Sequence, residues 1–426
     1  MPVNKFEESS IISGIGRSDI GRRLGRSELS LTVQAARAAI LDAGLAAADI
    51  DGLVAWPGEY PAPAGFTGPS PWRLKDALRL NLNWHLAAQE GPGQLAAVMS
   101  AVMAVHSALC RHVLVYRACA ESTGQSGGGR TSLSPVDDGG ITGYLQWLRP
   151  FGAVSAANWV ALNYQRYLHT TGARREQVAW LAINQRRNAA LNPAAIYTAP
   201  LTVNEYLAAR MISEPLCLYD CDVPADGAVA LVVSAAETAG DTPHPVRIEA
   251  IGSAIGRPSW WDQWRSPTDM AATDAAAHLW TRTDLSTADV DVAALYDGFS
   301  FLTMVWLEVL GFCKPGEAAD FIDGGARIAL DGELPLNTGG GQLSSGRLHG
   351  YGHLFEACAQ LRHQAEEGRQ VRAAEVVLVA AGGGPQGGLS AADPVSPPGS
   401  GSIAVAPHVQ PLGRCDKWAY IVQIDR

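Results

Sequence analysis

The sequence predicts an α/β protein made of two similar βαβ-type halves with a loop and helical region inserted between them. Three observations carry that prediction. Leu45 to Val54 (LAAADIDGLV) is echoed by Leu285 to Leu295 (LSTADVDVAAL). His112 to Arg117 (HVLVYR) is echoed by Glu375 to Ala380 (EVVLVA), and each runs into a polar or Gly-rich turn. Around both echoes, Ala-rich stretches at helical spacing alternate with short apolar runs. That is the pattern of largely buried strands with helices packed between them.

Taken in order, Ile11 to Gly16 reads as a short buried strand closed by a Gly turn. Ser30 to Ala43 is an amphipathic helix, with Ser30 as N-cap and Gly44 as its stop. A loop rich in Pro and Gly spans 57–72, and Gly93 to Leu109 is a helix of small residues before the strand at His112. The first half takes residues 1–123 and 201–240, and Asp220 to Ser234 supplies its last loop and strand. Residues 124–200 form the insertion, which opens on a flexible run and continues with Trp147, Phe151, Trp159, Tyr164, Tyr167 and Trp180. An aromatic insertion of this size lines a binding cleft or an oligomer interface. The second half, 241–390, repeats the plan with a strand at Val246 to Ile255 and helices at Asp269 to Trp280 and Leu354 to Glu366. The tail, 391–426, ends in Trp418 to Ile424, a strand that either docks on a partner or adds to an edge.

Bulk composition narrows the function. The chain has 426 residues, 47% hydrophobic and 17% charged, enough to bury a large core. Its net charge of -10 and lack of basic clusters argue against nucleic acid, which needs gathered positive charge. No apolar run is long enough for a membrane span, and the N-terminus has no signal-peptide pattern. Seven scattered cysteines suit a reducing cytoplasm. Cys217 and Cys221 stand at C-x-x-x-C with no partner pair, so no metal site is expected.

The stretch that concentrates chemistry is Leu334 to Leu361, LPLNTGGGQLSSGRLHGYGHLFEACAQL. Its glycines let the backbone turn sharply and approach a ligand. His349, Tyr351 and His353 sit among them, and an apolar helix follows. No core requires so polar a cluster between glycines, so this stretch is the candidate active site.

The two halves, the ADGA sequence at Ala225 to Ala228, the NTGGG loop and the late GGGPQGG loop together resemble the thiolase superfamily, nearest the sterol carrier protein thiolases. The resemblance spans nearly the whole chain and implies the thiolase fold, a layered α-β-α-β-α core. The family's catalytic side chains are replaced at every motif. Glu90 stands in Glu90-Gly91-Pro92-Gly93, where a C-x-S-G turn would carry the nucleophile. Ala380 stands where a second cysteine would open C-x-G-G-G, ahead of Ala381, Gly382, Gly383 and Gly384. Arg347 replaces the histidine of G-H-P-x-G, and Tyr296 in Tyr296-Asp297-Gly298-Phe299 replaces the Asn or His of that motif. Without a thiolate, Claisen chemistry by the usual acyl-enzyme route is not expected.

Trp147 to Tyr167, Asn188 to Tyr197, Tyr206 to Ala228, Tyr296 to Phe301 and Leu348 to His353 resemble steroid side-chain aldolases of the lipid-transfer-protein type. That resemblance implies retro-aldol cleavage of a 17-hydroxy steroid bearing a three-carbon acyl-CoA side chain, giving a 17-ketosteroid and propionyl-CoA. It implies an OB-fold partner associated with an acyl-CoA hydratase, a homodimer within a heteromeric complex, and no cofactor beyond the CoA of the substrate. The alternatives are a cysteine-free thiolase-like acyltransferase and a non-catalytic acyl-CoA or lipid carrier.

Retro-aldol cleavage needs a base for the hydroxyl, donors for the thioester enolate, and an acid for the α-carbon. Tyr296 and Tyr351 are the expected acid/base pair, with their roles unassigned. His349, His353 and Asp297 are candidate relays, although Asp297 also reads as the N-cap of the following helix. Backbone N–H groups at Gly382, Gly383 and Gly384 are the expected enolate donors. Glu90 reads as a base or a loop anchor, and Arg347 as the partner of a Glu or a binder of CoA phosphate.

Overall fold

The computed structural model describes residues 5–59, 62–88, 94–126, 148–153, 155–254, 265–268, 270–382 and the backbone of 419–425. The first half contains β1 (Ser10–Arg17), helix α1 (Glu28–Asp42), β2 (Gly52–Ala55), β3 (Trp84–Ala87), helix α2 (Ala96–His106) and β4 (His112–Ala120). The inserted region supplies helices α3 (Ala156–Thr171) and α4 (Arg175–Ala190), and then the hairpin β5 (Met211–Ser213) with β6 (Leu216–Cys217). After β7 (Asp226–Ala235) come β8 (Val246–Ala254), α5 (Ala271–Trp280), β9 (Val292–Leu295), α6 (Ser300–Leu310), α7 (Tyr351–Leu361), β10 (Val376–Ala381) and β11 (Ala419–Asp425).

Nine of these strands form one sheet in the order β3-β2-β4-β7-β1-β8-β11-β10-β9. The repeat predicted from sequence is visible as an approximate mirror about its centre. β2 runs parallel to β4 and β4 antiparallel to β7, while β9 runs parallel to β10 and β10 antiparallel to β11. The halves join through a short antiparallel contact, Ile11 with Arg247 and Ile12 with Val246. Equivalent aspartates do equivalent work in each half. Asp51 accepts from the backbone N–H groups of Arg111 and His112 at the start of β4, and Asp291 from those of Glu375 and Val376 at the start of β10.

Side-chain alternation divides the strands between two cores. In β4, Leu114, Tyr116 and Ala118 pack with α1, whereas Val113, Val115 and Cys119 face the central core. Helix α7 touches β9 and β10 of the second half and β1 and β7 of the first, so it lies between the strand layers. With α1 outside one layer and α5 outside the other, the α-β-α-β-α order follows.

Three local expectations change. Gly14 and Gly16 are inside β1 and form no turn: an added Cβ would lie 2.1 Å from the Ala39 carbonyl and 2.2 Å from that of Ala35. They are glycines because α1 lies directly on the strand. The N-cap of α1 is Ser27, whose side chain accepts from the Ser30 N–H, so the helix starts a turn earlier. The tail strand is no edge: β11 lies between β8 and β10. The inserted helices also carry a small core of their own, in which Ala179 and Ile183 pack with Tyr206 and Cys217, so residues beyond 200 pack with the insertion.

Candidate active site

Both tyrosines stand where strand ends meet the Gly-rich loop. Tyr296 leaves β9 directly, and its N–H donates to the Ala380 carbonyl at the end of β10, 2.9 Å away. Tyr351 is the first residue of α7, set by Gly350 at φ 87°. Gly350 is pressed against β10, since a Cβ there would fall 2.4 Å from the Ala381 Cβ. Tyr351 is fully buried and Tyr296 nearly so.

Gln94 links them. Its Nε2 donates to the Tyr296 hydroxyl oxygen at 3.2 Å, and its Oε1 would lie 3.7 Å from a Cβ placed on Gly350. Gln342, from the π-type turn Gly341–Ser345, accepts from the Gly350 N–H at 3.4 Å. Its carboxamide also eases ionisation of Tyr296, although Nε2 completes no bond of full hydrogen-bond geometry. Burial, with the Asp222 carboxylate second, pushes the Tyr296 phenol up to about 12 against the pull of Gln94, Arg347 and Gln342. Burial lifts the Tyr351 phenol still further, and the Arg117 guanidinium pulls it back.

Four polar atoms around this place are buried and make no hydrogen bond: the Tyr351 hydroxyl, Gln94 Oε1, Gln342 Nε2 and Arg117 Nε. Such atoms are rare in a folded protein and costly, at roughly 1–3 kcal/mol each. Their gathering at one loop junction marks a place shaped for a polar ligand.

The remaining candidates take other positions. Asp297 accepts from the Gln342 and Leu343 N–H groups at 2.9 and 3.1 Å and pairs with His353 Nε2 at 2.9 Å. It pins the Gly-rich turn to the end of β9, and it does not cap α6, where the N-cap position is Phe299. Arg347 is clamped by Glu121 at 2.8 Å and Asp222 at 3.0 Å. Burial works against its charge, but Asp222 and Glu121 more than offset that and raise its pKa above the ordinary value. It is the partner of carboxylates, as one of its two readings had it. His349, at φ 54°, accepts at Nδ1 from Arg117 at 2.9 Å and packs its ring against Trp56 and Phe66. The Gly382 carbonyl accepts from Trp306 Nε1. Glu90, Gly383 and Gly384 lie outside the described residues.

Gln94, Gln342 and Arg117 escaped the sequence reading. A trace of each was present: an amide after the EGPG turn, an amide closing GGGQ, and an arginine ending an apolar strand. A recess on the other side of the loop, lined by Arg17, Asn337, Gln342, His353, Phe355 and Glu356 among others, reaches neither tyrosine. Among the described residues no cluster of His, Cys, Asp and Glu is arranged to hold a metal. Burial raises the thiols of Cys110 to about 11 and of Cys119, Cys217, Cys313 and Cys358 to about 12, far from a nucleophile's range.

Comparison with known proteins identifies the family. Residues 257–391 match the family "Thiolase C-terminal domain-like". The chain is 36% identical over 364 residues to a steroid side-chain-cleaving aldolase of Thermomonospora curvata, covering 83% of this chain and 90% of that protein. It is also 36% identical over 391 residues to 17-hydroxy-3-oxo-4-pregnene-20-carboxyl-CoA lyase of Mycobacterium tuberculosis, covering 89% and 97%. A solved structure described as an Ltp2-ChsH2(DUF35) aldolase superposes with a TM-score of 0.78 at 33% identity, covering 89% of this chain and 96% of that one. On sequence and fold together, the chain belongs to the steroid side-chain-cleaving aldolases of the thiolase superfamily.

Proposed function

We propose that this enzyme is a carbon–carbon lyase that splits a 17-hydroxy steroid acyl-CoA with a three-carbon side chain into a 17-ketosteroid and propionyl-CoA. The observation that carries the reading is the pair of buried tyrosines, one of them held by Gln94, at a thiolase-type junction where Ala380 leaves no thiol. A phenol and a phenolate exchange protons with a hydroxyl and a carbon acid without forming a covalent intermediate. The raised thiols of Cys119 and Cys358 weigh against the acyltransferase alternative.

In this reading one tyrosine takes the proton of the tertiary hydroxyl. The carbonyl forms as the carbon–carbon bond breaks, and its electron pair becomes the thioester enolate. The other tyrosine delivers its proton to the α-carbon. Asp297 and His353 hold the loop that presents Tyr351. We assign the enolate donors to the Gly382–Gly384 loop, the partner to an OB-fold protein associated with an acyl-CoA hydratase, and the working form to a homodimer within that complex in the cytoplasm. The solved aldolase named with ChsH2(DUF35) supports a partner complex.

The test is product analysis with the purified chain, alone and with its OB-fold partner, on a 17-hydroxy steroid acyl-CoA. Equimolar 17-ketosteroid and propionyl-CoA is the expected result. Acyl exchange to a second thiol without ketosteroid overturns it.

A further inference from the structure

A glycine stands two residues after Tyr296, and the local backbone does not ask for one. The φ of Gly298 lies outside the left-handed region, so any residue can adopt its conformation. What excludes a side chain is the phenol. A Cβ on Gly298 would lie 2.6 Å from Cε1 of Tyr296, 3.0 Å from its Cζ and 3.0 Å from its hydroxyl oxygen. The Tyr296 ring therefore folds back over its own chain and rests on the bare Cα of Gly298.

The two sides of this contact differ in how firmly they are held. The Gly298 carbonyl accepts from the Asp222 N–H at 3.1 Å, and Phe299 pairs with Cys221 in an isolated antiparallel bridge. On the other side, Asp297 accepts from two N–H groups of the Gly-rich turn and pairs with His353. The Tyr296 backbone is fixed as well: its N–H donates to Ala380, and its carbonyl accepts from Thr303 Oγ1 at 3.3 Å. The far end of the ring is held only by side chains, with the hydroxyl oxygen accepting from Gln94 Nε2 at 3.2 Å. A methyl at position 298 thus moves the phenol and leaves the backbone in place. Carbon atoms in ordinary contact stand about 3.5 Å or more apart, so the ring must retreat by about 1 Å.

We propose that Gly298 is a positioning residue for the lyase reaction: its missing side chain sets where the Tyr296 phenol lies. This deepens the aldolase reading and rests on it. Proton transfer needs the two heavy atoms within hydrogen-bond reach, and a displacement of about 1 Å takes them out of it. Gln94 fixes the hydroxyl and Gly298 supports the ring, so the phenol has one place to stand. The claim holds whichever way the proton moves, because both directions depend on the same distance. Gly298 acts through Tyr296 and touches no substrate in this account.

The test is Gly298→Ala, assayed with the OB-fold partner present. Its kcat should fall about 30-fold to 100-fold, with KM within about threefold of wild type. In a Tyr296→Ala background the same methyl should cost less than about twofold in residual turnover, because the ring it meets is gone. A kcat within about threefold of wild type overturns the inference. So does a loss confined to KM, which would make Gly298 a substrate contact. Crystal structures of the wild type and of Gly298→Ala decide the point without turnover. They still do so if the wild type makes no ketosteroid and the aldolase reading fails on its own. The Tyr296 hydroxyl should shift by about 1 Å relative to Gln94 while the backbone of 297–299 stays. A ring that keeps its place, or a backbone that moves instead, overturns the inference. If Gly298→Ala does not fold, the double variant with Tyr296→Ala should fold as the wild type does. Failure of the double variant would mean that the methyl meets something other than the ring, and the inference falls.

Discussion

At the scale of single residues, Gln94 is the most direct handle on the chemistry. Its amide donates to the Tyr296 oxygen and so favours the phenolate. Gln94→Ala removes that help, so the Tyr296 pKa rises. A tyrosine that works as an acid loses activity as pH climbs through its pKa, so the alkaline limb of the kcat profile should move to higher pH. At neutral pH the looser hydroxyl should cost about tenfold or more in kcat, read by steady-state turnover. Tyr296→Phe and Tyr351→Phe should each cost about 100-fold to 10,000-fold in turnover, with acyl-CoA binding by calorimetry preserved. Equal loss of binding would mean that the phenols hold substrate and do not transfer protons. Both tyrosines were legible in the sequence because each stands in a loop that a core would leave apolar. Gln94 and Arg117 were not. Their roles depend on which strand end meets which loop, and nothing in the local sequence encodes that meeting.

At the scale of elements, the Gly-rich turn is held by a carboxylate. Asp297 takes two backbone N–H groups and His353, and a Cβ on Gly341 would lie 2.1 Å from its Oδ2. Asp297→Ala leaves those donors buried without an acceptor and should destabilise the fold by about 3 kcal/mol, measured by urea unfolding. A loss under about 1 kcal/mol would show that water replaces the carboxylate. In β1, Gly14→Ala drives a methyl into the Ala39 carbonyl. The expected cost is about 1–3 kcal/mol, with turnover per folded molecule unchanged. Sequence located these glycines but misread them, because a glycine that ends a strand and one that admits a helix look alike in one dimension. Asp297 shows the same limit. The residue beside Tyr296 in sequence projects toward the loop it anchors.

At the scale of the whole molecule, the duplicated plan was the most legible feature. Apolar period, Asp51 and Asp291, and the paired strands all repeat. The place of the final strand was not legible, since an isolated WAYIVQI fits an edge as well as an interior. β11 bonds to β8 from Ala419 to Asp425 and to β10 from Tyr420 to Asp425. Removing residues 418–426 should therefore leave β10 and β9 separated from β8. Such a truncated chain should be insoluble or show no cooperative thermal transition by circular dichroism. A soluble, active truncate would mean that the sheet closes without β11.

That interior place for a late strand also fixes an order of events during translation. The first half has its full strand set once β7 has left the ribosome, and N-terminal units fold as they emerge. The second half cannot close its sheet until β11 follows, long after β8, β9 and β10 have been made. Tyr296 and Tyr351 both belong to that waiting half. A nascent chain stalled ahead of β11 is thus a folded first half trailing an unfinished catalytic one, with bare strand edges at β8 and β10 and no lyase activity.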